Sequence, residues 1–510
     1  MNLLYEESEG ILMKSFLRVP NMSHLSLVVL LLFALHGGAS ARGPRSRDVA
    51  REKDPLNDRG ARVALVTGNV FSGSETRENM RILCDEIGGR LSGSEGAQKA
   101  LSFVESVLKR YGLSNVHQEQ YQFPGWFRGP FRCEIISPER FVMHALALGN
   151  TPSTPPTGVE AEVIDAAHGN PVELDRLGDT LKGRFALVID GAMPGGRWMH
   201  RSEVMLEVSK RGAVGLLFQT NEPGQLPMTG TCWMNGTSPI PGAGISKEDG
   251  EWIRRQLSRG ENVAVRLDMT NETGPATSSN VVGEVTGQSS EFVIVGAHLD
   301  AWDIGRGAVD NGTGAVVVLE AARALAKSGA RPAASIRFVF FMGEESGLYG
   351  SNAYAAAHEA ELPRCRAMMN CDMEGVPLGI RAMGQEEARP FFESLLASLK
   401  SFELTSGFST RVGIHGDHQA FLLRGVPVVN PVSRLEDESV RYYHTSADTY
   451  DKVTFGPLTS GAAFVAAVAL ELAWPEQRAV ASLDEAAVKK LIHESNLEEA
   501  LKVWGDWLER

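Results

Sequence analysis

Two adjacent carboxylates, Glu344 and Glu345, close the apolar run Phe338-Val339-Phe340-Phe341-Met342. A run so apolar reads as a strand buried on both faces, the pattern of a parallel sheet. Two like charges at its mouth belong either to a solvated loop or to a site. Other chemistry-bearing residues fall at comparable places. EFVIVGA runs into His298, with Asp300 two residues on, and the turn GRGAVDNGTGA offers Asp310 just ahead of a helix. RAMMNC runs into Asp372, and the late loop RYYHTSADTYD carries His444. In open α/β sheets ligands bind beyond the carboxyl ends of the strands. Taken singly, each residue has an ordinary explanation as a turn, a helix cap or a surface group. Taken together, they form a mixed histidine and carboxylate set at consecutive strand ends. Such a set can hold a pair of borderline divalent ions, best matched by zinc, although cobalt or manganese fit the same ligands. A carboxylate such as Asp310 can bridge ions about 3.5–4 Å apart. One member of the glutamate pair then ligates, and the other stays off the metal to take a proton from the attacking water.

The elements that must position these residues are an alternation of strands and helices. From Asn280 onward VVGEV, EFVIVGAH, SIRFVFFM, RAMMNCD and VPVVNP read as strands, TGAVVVLEAARALAKSG as a helix ending at Gly329, and 458–473 as a late helix. The expected fold is therefore α/β, a mostly parallel mixed sheet flanked by helices. Upstream, Ala97, Leu101, Val104, Leu108 and Tyr111 recur at helical spacing over 94–112, and 116–123 is strand-like. Between 150 and 275 the texture changes to short apolar strands such as FALVID and AVGLLFQT between Gly- and Pro-rich turns, without a cluster of metal ligands. That segment reads as a separate small β-rich domain. At the C-terminus Ser482 to Glu485 has the form of a capping box, and Leu497, Leu501, Trp504 and Leu508 make a stripe, so 476–510 is expected to be a pair of packing helices.

A length of 510 residues suggests two or three domains, and the formal net charge of -13 speaks against a nucleic-acid partner. Leu25 to Leu35 is apolar but short for a bilayer span, follows Lys14 and Arg18, and precedes Ala39-Ser40-Ala41, which has the form of a signal-peptidase site. Residues 1–41 are accordingly read as a signal peptide, leaving no stable membrane span after cleavage and placing the protein outside the cytosol, secreted or periplasmic. Glu6, Glu7 and Glu9 are unusual in such a segment and point to a start at Met13 or Met22. The polar stretch 42–62 is read as a linker or pro-segment. Five cysteines make no disulfide framework. Cys365 and Cys371 lie too far apart along one strand to bridge, and Cys84, Cys133 and Cys232 stay open as partners. Asn235, Asn271 and Asn311 lie in glycosylation sequons, and a glycan on Asn311, beside Asp310, would obstruct the site.

AHLDAWDIGRGAVDNGTG, FMGEESGLYGS, NCDMEG and YYHTSADTYDKV resemble the co-catalytic zinc exopeptidases of the aminopeptidase and glutamate carboxypeptidase family, nearest in form to the plasma glutamate carboxypeptidase branch. The resemblance spans about residues 60–475. It implies two zinc ions per chain, one held by His298 and Asp372 and the other by Glu345 and His444, with Asp310 bridging. It implies that Glu344 is the general base and that Asp300 is the acid that orients His298. It also implies that 63–150 and 276–475 form the peptidase domain and that 151–275 is an inserted protease-associated domain. Tyr442 or Tyr443 is a candidate for assisting the oxyanion, and Asp417 with His418 for shaping the substrate pocket.

The expected activity is hydrolysis of short peptides, foremost as an aminopeptidase, with dipeptidase or carboxypeptidase activity as the alternative. Arg306, Arg434 and Arg441 lie near the motif loops as cations for a terminal carboxylate. A single-zinc glutaminyl cyclase and a non-catalytic binding homologue share the fold, but the complete ligand set and base argue against both. A homodimer is one open form of assembly.

Overall fold

The computed structural model describes residues 55–192, 196–234, 236–436 and 438–507. Residues 1–41, expected as a signal peptide, lie outside them, as do Asn235 and Leu508. The first described elements are a 3-10 turn, Pro55–Asn57, and a helix, Arg59–Phe71. Both begin inside the stretch 42–62 expected as a linker. Asp58 caps this helix by accepting from the Ala61 amide. Arg62, a polar linker residue by sequence, is buried and donates through Nε and Nη2 to Glu471.

Five strands build the first sheet in the order Ser114–Phe127, Glu272–Val285, Ser335–Phe341, Phe292–His298, Cys365–Asn370. The last three run parallel and the first two antiparallel, giving a mixed sheet. Every residue of Phe292–His298 is buried, and only Arg337 of Ser335–Phe341 reaches the surface in part. Alternate side chains point to opposite faces. Val293, Val295, Phe338 and Phe340 meet the helices Arg59–Phe71, Glu95–Arg110, Thr313–Ser328 and Phe455–Ala473. Ile294, Val339 and Phe341 meet Tyr354 and Phe421 from the helices Tyr349–Ala357 and His418–Leu422. Phe455–Ala473 is long and apolar enough to cross a membrane, and most of it is buried in this core. The register sets His298 opposite Phe341 and Gly296 opposite Asn370. All three parallel strands thus end at one edge, and the residues that follow them emerge side by side.

A second sheet of eight strands draws on residues 131–269. It begins earlier than the expected boundary at 151, because Phe131–Ser137 pairs with Ala264–Met269 and Ala145–Ala147 with Gly242–Ile245. Three helices, Pro171–Leu177, Arg201–Lys210 and Lys247–Ser258, accompany it. The strands Ser114–Phe127 and Glu272–Val285 pair continuously from His117 opposite Val282 to Phe127 opposite Glu272, a two-stranded ribbon that carries the chain out to this insertion and back.

The C-terminal helices are Glu485–Glu494 and Glu498–Trp504. The expected capping box does not form. Asp484 caps the first of them by accepting from Ala487 N–H at 2.8 Å, while Ser482 Oγ accepts from Arg478. All five cysteines are free and buried. Cys84, Cys133 and Cys232 belong to three separate apolar clusters, so the pairing left open by sequence does not occur.

Candidate metal centre

Seven of the expected residues come to one place, five of them from strand ends. His298 closes its strand with Asp300 just beyond, Glu344 and Glu345 follow Phe341, and Asp372 follows Asn370 by two. Asp310 lies in the turn before Thr313–Ser328. His444 arrives from the loop before Phe455–Ala473, where it takes a left-handed backbone, φ 56°.

Two trios result, and they share Asp310. His298 Nε2 lies 3.1 Å from Asp310 Oδ1 and 3.5 Å from Asp372 Oδ1. His444 Nε2 lies 3.0 Å from Asp310 Oδ2 and 2.8 Å from Glu345 Oε2. Each carboxylate oxygen of Asp310 therefore faces one histidine. Both Nδ1 atoms are spent on carbonyls: His298 donates to Asp300 O at 3.2 Å, and His444 to Thr229 O at 3.3 Å. That tautomer turns the Nε2 lone pair of each ring toward carboxylate oxygens. Lone pairs facing lone pairs at 3 Å repel unless a proton or a metal cation sits between them. In keeping with this, buried His444 Nε2 and Glu345 Oε1 have no hydrogen-bond partner. The donor set, imidazole nitrogen with carboxylate oxygen around a shared bridging carboxylate, fits a pair of zinc ions.

The electrostatics agree. Burial alone would raise Asp310, but the two imidazoles hold it well below the usual carboxylate range. Burial would lower His298, yet Asp372 and Glu344 hold it well above the usual imidazole value. Burial pushes Glu345 up to about 7, against the opposing pull of His444. Glu344, half-buried at the rim, is raised well above its ordinary value by burial, with the charges of Asp372 and Glu345 adding to this.

Asp300 lies beside His298, with its carboxylate 3.7 Å from His298 Nδ1. Its oxygens also accept from Ser92 Oγ and from the Glu344 amide, both at 3.3 Å. Asp300 thus meets the histidine through its backbone carbonyl and its carboxylate, and its side chain steadies the Glu344 loop. Tyr443 stacks on His444 with ring centroids 3.6 Å apart, whereas Tyr442 faces Lys452 and Arg441. Asp417 is fully buried and His418 nearly so. The expected cations are peripheral: Arg306 and Arg434 are exposed, and Arg441 is near Glu222 and Glu438.

Two residues nearby carried no sequence signal. Asp448 accepts from the amides of Val309 and Asp310 at 2.6 and 3.1 Å, tying the bridging residue to the His444 loop. Arg201 is 4% exposed, its Nε has no partner, and among the described residues no carboxylate pairs with it. Its guanidinium packs on Gly230, where an added Cβ would lie 2.2 Å from Nη2. Gly230 adjoins Thr229, which exchanges hydrogen bonds with His444. A buried cation thus stands one residue from the segment that holds a ligand.

Residues 280–469 match the sequence profile described as Peptidase family M28. Carboxypeptidase Q of Mus musculus is 31% identical over 464 residues, 88% of this chain and 97% of that protein. Among solved structures, a Peptidase M28 precursor from Shewanella amazonensis superposes with a TM-score of 0.74 at 26% identity, covering 84% of this chain and 99% of that one. A zinc aminopeptidase from Bacillus subtilis superposes with a TM-score of 0.62 at 25% identity, covering 80% and 97%. The extent of the first match, end to end on a shared fold with the strand-end ligand pattern intact, places this chain in peptidase family M28.

Proposed function

We propose that this chain is a two-zinc exopeptidase of short peptides, exported from the cytosol, in which His298, Asp310 and Asp372 hold one ion and Asp310, Glu345 and His444 the other. The observation that carries the reading is the split of Asp310, one oxygen toward each histidine. Bound zinc would polarise the scissile carbonyl and acidify the attacking water. Glu344 sits off both trios at the part-open rim, with its amide fixed on Asp300. That position suits a carboxylate that accepts the water's proton and hands it to the leaving amine. The inserted sheet, resembling a protease-associated domain, supplies Thr229 behind His444 and so forms one side of the centre.

Two polarities follow. The aminopeptidase reading from sequence accords with the zinc aminopeptidase neighbour. Arg201 favours the second reading, in which a cation takes the substrate's terminal carboxylate, as in a carboxypeptidase or dipeptidase. Asp303, an exposed carboxylate of the same loop as Asp300, is engaged by Arg128 Nε at 3.0 Å and is not free to take an α-amine.

One short peptide offered free, N-acetylated and C-amidated separates them by mass spectrometry. Blocking by acetylation alone identifies an aminopeptidase, by amidation alone a carboxypeptidase, and by both a dipeptidase. Glu344→Gln should cut turnover by about 10²–10⁴-fold while leaving zinc content intact. Failure to cleave any form with two zincs bound would overturn the substrate class.

A further inference from the structure

Asn311 follows the bridging aspartate and is fully buried, yet the ligand set leaves it no role. All of its side-chain capacity is used. Nδ2 donates to Cys371 O at 3.0 Å and to His298 O at 3.4 Å. Oδ1 accepts from Gly314 N–H at 2.9 Å and from Met373 N–H at 3.0 Å. These contacts clasp Asp372 on both sides, reach the backbone of His298, and start from the residue bonded to Asp310. One amide thus touches the chain at all three members of a single trio and at neither Glu345 nor His444. The surroundings are cut to admit it. A Cβ on Gly314 would lie 2.3 Å from Asn311 Oδ1 and 2.2 Å from Cys371 O, so only glycine fits at that point.

We infer that Asn311 is a positioning residue that sets the His298–Asp310–Asp372 side of the centre and leaves the Glu345–His444 side to other supports. On the second side Thr229 holds His444, while Asp448 holds the amide of Asp310, which both sides share. The two halves of one centre are therefore braced by different residues, and they can be weakened one at a time. Partners that orient ligands change metal affinity by about 10–100-fold when removed.

The inference rests on the two-zinc reading, and the experiment separates them. Zinc bound per folded chain is measured across a buffered series of free zinc, with circular dichroism to establish folding. Asn311→Ala is expected to weaken one site by about 10–100-fold and leave the other, so that a plateau near one zinc per chain appears at intermediate free zinc. Combined with His444→Ala, it should empty both sites at that concentration. Combined with His298→Ala, it should do no more than His298→Ala alone, since both act on the same ion. Gly314→Ala, which crowds both the Asn311 amide and the Cys371 carbonyl beside Asp372, should weaken the same site. Two zincs held as tightly as in the unaltered protein would overturn the inference. So would loss of both sites together, or failure of both single variants to fold. An unaltered protein that never exceeds one zinc would overturn the two-ion reading itself.

Discussion

His418 begins a short helix, and its Nε2–H donates to Gly413 O at 3.1 Å. Burial pulls its pKa down to about 4, and His415 and His200 are shifted the same way, His415 to about 3. A histidine near 6.5 when unfolded and near 4 when folded contributes full stability above pH 6.5. That contribution is lost as the pH falls toward 4. Between pH 7 and pH 5 the loss for His418 is about 2 kcal/mol. Asp448 and Asp417, pushed by burial up to about 7, run in the opposite sense, so the unaltered protein's own pH curve mixes both. The difference from His418→Gln isolates the histidine, because a glutamine amide can still donate to Gly413. Urea unfolding at the two pH values should show the gap between the two proteins closing by about 2 kcal/mol at pH 5, and an unchanged gap would refute the assignment. At this scale legibility followed locality. The ligands could be read because each ends or follows an apolar run. Arg201 and Asp448 could not, because their importance lies in what the fold sets beside them: Gly230 for one, the amides of Val309 and Asp310 for the other.

At the scale of elements, the first helix is fastened to the last helix of the peptidase core through one carboxylate. Glu471 is 1% exposed and accepts from Arg62 Nε at 2.7 Å, Arg62 Nη2 at 2.9 Å and Arg59 Nε at 3.0 Å. Arg62 is itself buried and stacks over Trp474, 4.5 Å from the ring centroid. Glu471→Ala would strand a buried guanidinium, a change that costs about 3–5 kcal/mol, while a fully exposed pair would cost under about 1 kcal/mol. Denaturant unfolding of the zinc-saturated protein measures the difference, and a loss below about 1 kcal/mol would mean that Arg62 finds water or another acceptor. Residues 42–62 are polar by composition, and nothing local reveals that Arg62 meets a glutamate more than four hundred positions on. The edge of the second sheet is equally hidden in the sequence. Phe131–Ser137 is a plausible strand anywhere, and only its pairing with Ala264–Met269 assigns it to the second sheet. The central strands were legible because they are apolar throughout, a pattern that demands burial on both faces.

At the scale of the whole molecule, the inserted sheet and the peptidase sheet are joined by the ribbon of Ser114–Phe127 and Glu272–Val285, and the C-terminal helix supplies a second tie. Trp504 is 6% exposed and packs edge-on to His200 of the insertion, ring centroids 5.2 Å apart, and against His415 of the peptidase part at 4.3 Å. It also shares an apolar cluster with Met234 of the insertion and Leu348. Leu348 N–H donates to Glu344 O, so this contact reaches the loop that carries the proposed base. His200 immediately precedes Arg201, the buried cation beside the centre. Truncating the tryptophan therefore does two things. It removes core packing, worth about 3–5 kcal/mol for a buried tryptophan, and it frees the segment that aims Arg201. The metal ligands other than Glu345 stand on strand ends and turns that Trp504 does not touch. Trp504→Ala is accordingly expected to lower thermal stability and raise KM several-fold, with zinc content unchanged and a smaller effect on kcat. Steady-state kinetics on the preferred peptide, run beside zinc analysis and a thermal melt, would show this pattern. An equal fall in kcat with loss of zinc would instead mean that the C-terminal helix supports the centre itself, through the Leu348 contact.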